Sequence, residues 1–255
     1  MKLGGLVCVR NGDELDYCWR EAVKSLLPVC EVVTICDGES TDGTQEEIRK
    51  WMLDEPKLNL CVYPWPNPKG DSDFWVKWLQ YGRMHSPSDY ILQLDADEVL
   101  DDCSHGLIEF YKKSTYSRFT VKMERLNFWR DHRHLIPSGV CCSDVVIRMG
   151  PQDVWLPSDG IHEKGAEWVN MAREGTSIRI FHYGFLRKRE QWFKKAKALQ
   201  NYFFATYDPR LAAAEKHEGN WSEMPGVTGW ENNLVKYDGQ HPHIALNWLR
   251  ERGYF

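Results

Sequence analysis

The sequence predicts an α/β fold: a mostly parallel sheet flanked by helices, with a helical C-terminal extension. Two observations carry this expectation. Short apolar runs alternate with helical stretches through the first hundred residues, the pattern of consecutive βαβ units. Three of those runs end in polar residues, as the carboxyl ends of parallel strands do where they gather ligand-binding groups on one edge.

Leu3–Val9 reads as the first buried strand and ends in Arg10-Asn11-Gly12. Asp13 is placed as the N-cap of a helix that runs to about Leu27 and is stopped by Pro28. Val32–Cys36 is the second strand. The turn chemistry of Asp37-Gly38-Glu39-Ser40-Thr41-Asp42-Gly43 leads from it into a helix over Thr44–Leu53. Leu58–Tyr63 is the third strand, followed by a Pro-rich loop and an aromatic helix over Ser72–Met84. The fourth strand carries Tyr90, Ile91, Leu92 and Leu94. After Val99 the pattern changes. Arg118–Trp129 alternates in part and predicts a longer, half-exposed strand, with further strands at Val145–Met149 and Ser177–Phe181. Residues 188–205 predict a basic, aromatic amphipathic helix, and shorter helices are expected near Leu211 and Ile244.

A chain of 255 residues has room for one large α/β domain and can bury a sizeable core. Its net charge of −5 argues against a dedicated nucleic-acid surface. No run approaches the roughly 18 apolar residues of a membrane-spanning helix, and Met1–Val9 lacks the features of a secretory leader. Among the eight cysteines, Cys8, Cys36 and Cys61 lie inside apolar runs, where a thiol packs as a small hydrophobe. With no C-x-x-C pair, the expectation is a reducing, cytoplasmic setting, with peripheral attachment to a membrane left open.

The fourth strand runs directly into Asp95-Ala96-Asp97-Glu98. Carboxylates crowded at the end of a buried strand repel one another and resist desolvation. A divalent cation between Asp97 and a bound diphosphate would turn that repulsion into attraction, and oxygen ligands suit Mn²⁺ or Mg²⁺. An acidic helix start is the plainer reading of the same residues. If the sheet is parallel, Arg10, Asn11, Asp37, Asp95 and Asp97 converge on one rim, which suits a nucleotide.

Two of these segments resemble a known family. Ile35-Cys36-Asp37-Gly38-Glu39-Ser40-Thr41-Asp42-Gly43-Thr44 is similar to the D-x-x-S-x-D-G-T region of family 2 glycosyltransferases. Tyr90 to Glu98 is similar to the family's D-x-D region, and each segment follows a strand. Gly38-Glu39 departs from the family, which more often has Asp or Asn and then Gly before the Ser. The resemblance covers roughly residues 3 to 185. It implies a GT-A-type, Rossmann-like fold, with a nucleotide-sugar-binding half at 1–100, an acceptor and catalytic half at 101–186 and the helical extension at 187–255. It also implies an inverting transfer from a nucleotide-diphosphate sugar, read as a UDP-sugar, with Mn²⁺ or Mg²⁺ as cofactor. The acceptor is a glycan, a lipid-linked sugar or another hydroxyl.

Carried onto this chain, the resemblance makes Asp37 an acceptor from the nucleobase and Asp95 a ribose ligand, with Ala96 beside it. It makes Asp97 a metal ligand and has Arg10 and Asn11 border the nucleotide. Lys77 lies near a family position facing the donor, although Trp78 replaces the usual Asn; a solvated helix face explains Lys77 equally well. Phe181-His182-Tyr183-Gly184-Phe185 resembles a strand-end segment whose His completes the metal shell, and a backbone-bonded histidine remains the alternative for His182. Ile161-His162-Glu163 resembles a segment before the active-site loop. Inverting transfer needs a base for the acceptor hydroxyl, worth about 10²–10⁴-fold. Glu163 is the candidate, with Asp159 and His162 behind it; a surface acid beside Lys164 is the alternative.

Trp129, Trp155 and Trp168 are candidate stacking platforms for a sugar, with a core or interface position the commoner role for each. Lys188, Arg189, Lys194 and Lys195 read as a solvated helix face or a surface for a phosphate-bearing acceptor or anionic lipid. Two other functions fit the same pattern: a sugar-nucleotide-forming nucleotidyltransferase, which lacks its Gly-rich G-T-R loop here, and a nucleotide-sugar-binding module without catalysis.

Overall fold

The computed structural model describes residues 1–65, 71, 73–113, 119–138, 144–153, 167–169, 177–203 and 233–255, with the backbone alone at 167–169, 189 and 199–203. Its first half follows the expected alternation: β1 (Leu3–Val9), α1 (Trp19–Leu26), β2 (Val32–Asp37), α2 (Thr44–Trp51), β3 (Leu58–Val62), α3 (Phe74–Met84) and β4 (Tyr90–Asp95). β3, β2, β1 and β4 lie side by side in that order, all parallel.

Period-two alternation in β1 explains the layering. Leu3, Val7 and Val9 pack with Ala22, Val23 and Leu26 of α1 on one face. Leu6 and Cys8 pack with Phe74, Trp78 and Leu79 of α3 on the other. Cys8, Cys36 and Cys61 sit opposite one another across three strands as buried free thiols.

The sheet then continues through β5 (Glu98–Leu100), α4 (His105–Lys112), β6 (Phe119–Trp129), β7 (His134–Leu135), β8 (Val145–Pro151), β9 (Glu167–Val169) and β10 (Arg179–Phe185). Here it is mixed rather than parallel. β8 joins β4 and β6 antiparallel, while β10 runs parallel to β6 and antiparallel to β5. α5 (Arg189–Phe203), β11 (Val235–Lys236) and α6 (Leu246–Glu251) follow. Ala245, Trp248 and Leu249 of the C-terminal stretch pack on Phe128, Phe181 and Tyr183.

One local expectation fails. Asp13 does not cap α1, which begins six residues later. Residues 11–16 instead form a turn closed by Leu15 N–H to Asn11 O (3.0 Å) and Tyr17 N–H to Gly12 O (2.8 Å). The left-handed backbone at Asp16 (φ 53°) interrupts any helix there. The Asp13 carboxylate accepts from Trp19 Nε1 and Arg20 instead. The helix expected near Leu211 lies outside the described residues.

Candidate active site

The parallel register places three of the predicted acids together. Val9 lies opposite Asp37 and Cys8 opposite Asp95, so the two strand-end acids flank the end of β1. The chain turns at Ala96-Asp97 into β5, which pairs with β10 so that Glu98 faces His182. Tyr183 N–H donates to Asp97 O (2.8 Å), locking Asp97 beside Gly184 and His182. β6, on the other side of β10, places Asn127 opposite His182.

At this rim lies a cavity of about 360 Å³, within the usual size of small-molecule sites. Cys8, Val9, Trp65, Trp75 and Trp78 form its apolar part. Arg10, Asp95, Asp97, Arg125, His182 and Lys195 form its polar part, and Tyr17 lies between.

Asp97 is ringed by cations. Its Oδ2 accepts from Lys195 Nζ at 2.6 Å and lies 3.5 Å from Arg187 Nη2. Its Oδ1 lies 3.6 Å from His182 Nε2. Burial works against the Asp97 charge, yet the positive groups beside it, Lys195 foremost, outweigh it and hold the carboxyl well below the usual range. For Lys195 the balance runs the other way: burial depresses the ammonium more than Asp97 supports it.

His182 Nδ1 lies 2.8 Å from Asn127 Oδ1, and the Asn127 amide nitrogen donates to Asp144 (3.2 Å). That arrangement makes Nδ1 a proton-bearing nitrogen, and a neutral ring would then turn its Nε2 lone pair toward the Asp97 carboxylate. With a neutral ring, two acceptors would face one another across 3.6 Å, an arrangement that a cation held by both would satisfy. Gly184 leaves the space: a Cβ there would stand 2.4 Å from His182 Nε2 and 2.8 Å from Asp97 Oδ2. The donor set of one carboxylate and one imidazole fits Mn²⁺ better than Mg²⁺. Among the described residues no cluster of three or more His, Cys, Asp or Glu side chains has metal-binding geometry, so a diphosphate and water would complete such a shell.

Asp95 is held from beneath. Its Oδ2 accepts from Arg148 (2.6 Å), its N–H donates to Glu98 (3.0 Å), and its buried Oδ1 has no hydrogen-bond partner among the described residues. Glu98 is fully buried and takes Arg148 (2.7 Å) and Arg125 (3.2 Å). Burial pushes the Asp95 carboxyl up, with Arg148 pulling against it and Glu98 adding to it. Burial also opposes the Glu98 charge, but there the two arginines prevail and hold the carboxyl below its ordinary value.

The remaining sequence candidates divide. Arg10 lines the cavity, donates to the carbonyls of Gly38 and Glu39, and lies 4.4 Å over the Trp65 ring. Asn11, with φ 49°, ties the end of β1 to the β2 turn through Ser40 (2.8 Å) and Thr41 (2.8 Å). Asp37 is fully buried, but its oxygens accept from Ser40 Oγ (2.5 Å), Ser40 N–H (3.0 Å) and Gln45 (2.7 Å). It is not among the residues lining the cavity, and its side chain anchors the turn that follows β2. Gly38-Glu39 acquires a physical reason: a Cβ on Gly38 would meet the Trp65 ring at 2.7 Å, and Glu39 accepts from Trp65 N–H (2.8 Å). This turn is shaped to seat Trp65.

Lys77 is paired with Asp71 (2.6 Å) on a half-exposed helix face, away from the cavity lining. Trp129 is 0 % exposed, a core residue and not an open sugar platform. Glu163, Asp159, His162 and Trp155 lie outside the described residues, as does the Trp168 side chain.

Sequence reasoning missed Lys195, Arg187, Arg125, Arg148 and Glu98 as site residues. Lys195 looked like one more charge on a solvated helix. Its partners come from the β4–β5 turn (Asp97), β10 (Gly184) and the loop before α1 (Tyr17), and no local spacing announces that.

The family model described as "Glycosyl transferase family 2" matches residues 6–189. The succinoglycan biosynthesis protein ExoA of Rhizobium meliloti is 26% identical over 122 residues, covering 48% of this chain and 36% of that protein. The chain therefore aligns with about a third of that curated relative. Among solved structures, S. aureus TarS (residues 1–349) aligns with a TM-score of 0.45 at 13% identity, over 78% of this chain and 64% of that one. A mannosyltransferase from Pyrobaculum calidifontis, PcManGT, in complex with GDP-Man and Mn²⁺, aligns with a TM-score of 0.47 at 15% identity, over 90% and 68%. Among the described residues no helix is long and apolar enough to cross a membrane.

Proposed function

The chain belongs to glycosyl transferase family 2, and on that footing we propose that it moves a sugar, with inversion, from a nucleoside-diphosphate sugar to an acceptor hydroxyl. The observation that carries this reading is the facing pair of Asp97 and His182 over the space left by Gly184, at the mouth of a cavity rimmed by cations. The donor class we favour is a UDP-sugar. Its base takes the apolar end by Cys8, Val9, Trp65 and Trp78, flanked by Arg10. The unpartnered Asp95 Oδ1 accepts from a ribose hydroxyl, with the carboxylate aimed by Arg148.

In the reaction, the acceptor oxygen bonds to the anomeric carbon while the bond from that carbon to the diphosphate oxygen breaks. The diphosphate keeps the electron pair, and a base on the opposite face takes the hydroxyl proton. Asp97 and His182 would hold a divalent cation, Mn²⁺ in preference to Mg²⁺, which when bound stabilises charge on the leaving diphosphate. Arg125 and Lys195 line the same cavity and add positive charge. Glu163, with Asp159 and His162 behind it, is the proposed base. The acceptor is a glycan, a lipid-linked sugar or another hydroxyl.

The test is nucleotide release from a panel of nucleotide sugars with Mn²⁺, with EDTA, and with Asp97→Asn. We expect nucleoside diphosphate to appear with one donor, to stop with EDTA and return with Mn²⁺, and to fall at least about 100-fold in the variant, as when a principal charge-stabilising group is lost. Formation of nucleoside triphosphate and sugar 1-phosphate when pyrophosphate is added to the nucleotide sugar would support a nucleotidyltransferase instead. Undiminished turnover by Asp97→Ala would overturn the assignment of the site.

A further inference from the structure

Lys195 is placed where a dissociable cation belongs. Its ammonium bonds Asp97 Oδ2 at 2.6 Å and Gly184 O at 3.3 Å, two oxygens of the space that Gly184 keeps open. Its neighbour Arg187 is fastened differently, with its guanidinium on the carbonyls of Leu15, Asp16 (2.7 Å) and Gly184 (3.0 Å). Both cations lie over the Tyr17 ring, at 5.2 Å for Lys195 and 4.8 Å for Arg187. Arg187 is thus anchored by backbone, whereas Lys195 has a flexible stem and lines the cavity itself.

We propose that Lys195 guards Asp97 and is a ligand of the donor diphosphate: it holds the carboxylate in the absence of donor, and the arriving diphosphate draws it away. This rests on the reading of the site given above. A divalent ion and an ammonium on the same carboxylate oxygen repel one another, so the two compete for Asp97 while Arg187 stays 3.5 Å away on its backbone anchors. A diphosphate in the cavity resolves the competition, because it offers the ammonium new anionic oxygens within the sweep of its side chain. Cation and nucleotide therefore load cooperatively. By linkage each tightens the other by the same factor, and Lys195 sets that factor.

The experiment measures Mn²⁺ binding to the full chain by the spectroscopic signal of free Mn²⁺. It is run with and without UDP, corrected for Mn²⁺ held by UDP alone, for wild type, Lys195→Met and Lys195→Arg. We expect Lys195→Met to bind Mn²⁺ about 10-fold tighter than wild type without UDP, within the usual range of coupling between sites. The enhancement of Mn²⁺ affinity by UDP should shrink by the same factor, and UDP should bind more weakly in the presence of Mn²⁺. Lys195→Arg, which keeps the charge, should stay near wild type. Thermal melts verify the fold, and Lys195→Gln replaces the Met variant if that one is unstable. Equal Mn²⁺ affinity of wild type and Lys195→Met without UDP, or an undiminished enhancement, overturns the proposal. Mn²⁺ bound by no form of the protein, with or without UDP, would overturn the metal reading itself, a result recognisable because wild type shows it too.

Discussion

Gly184→Ala is the smallest change that tests the architecture of the site. The added Cβ would lie 2.4 Å from His182 Nε2 and 2.8 Å from Asp97 Oδ2, where ordinary contact begins at 3.4 Å. His182 has to retreat by about 1 Å, far enough to break its 2.8 Å bond with Asn127, or the strand has to shift. Overpacking of this kind costs about 1–3 kcal/mol, small against a typical domain stability, so the protein should fold. The same strain is felt by any cation placed between Asp97 and His182. At about 1.4 kcal/mol per factor of ten, Mn²⁺ affinity in the presence of UDP should fall roughly 10- to 100-fold. Mn²⁺ titration with UDP, set beside a thermal melt, separates the two effects: a lower melting temperature reports the packing, and weaker binding reports the cradle. Wild-type Mn²⁺ affinity in a normally folded Gly184→Ala protein would falsify the claim that this space is where the cation sits.

Arg148→Met removes a guanidinium shared by Asp95 and Glu98 in a buried cluster. Breaking such a pair from one side costs about 3–5 kcal/mol, and urea unfolding should show it; a loss under about 1 kcal/mol would mean the cluster rearranges freely. His241 Nε2–H donates to the His132 carbonyl (2.8 Å), its Nδ1 accepts from Tyr183 O–H (2.8 Å), and burial pushes its pKa down to about 4. The unfolded chain therefore binds its proton more readily than the folded one. Stability should fall as pH drops from about 6.5 toward 4, by up to about 3 kcal/mol, and His241→Phe should flatten that slope in denaturation curves taken across the interval. Lys77→Ala should leave donor KM and kcat within about twofold, since exposed pairs such as Lys77–Asp71 contribute little; a large rise in KM would return Lys77 to the donor site.

The strands were legible because burial leaves a mark in local composition. Leu3–Val9, Val32–Asp37 and Tyr90–Asp95 are apolar runs closed by polar residues, and the parallel sheet then places their ends on one edge. Proximity followed from topology, but the direction of each carboxylate did not. Asp37 sits at the expected strand end, yet Ser40 and Gln45 claim its oxygens, because a buried acid after a strand also serves as the anchor of its own turn. Asp97 and His182 were legible as types at strand ends. Their alignment depends on the β5–β10 and β6–β10 registers, which bring together residues far apart in the chain. Lys195 was hidden for the same reason, on a helix whose other charges give no sign of which one turns inward.

Charge shows most directly why composition alone could not describe the ligand. The chain as a whole carries −5. At the cavity the balance is reversed: Arg10, Arg125, Arg148, Arg187 and Lys195 surround Asp95, Asp97 and Glu98. The carboxylates are matched by cations that touch them, and Arg10 remains directed at backbone carbonyls beside the apolar pocket. Such a rim has a positive field inside a negative molecule, which concentrates anions at one place and repels them elsewhere. A neutral sugar gains nothing from that field. A sugar carried on a diphosphate does, and its departing diphosphate gains more as negative charge grows on the leaving oxygen. The cationic ring is therefore better suited to the separated charge of the transfer than to the intact donor, which is the condition for accelerating the step rather than merely holding the substrate.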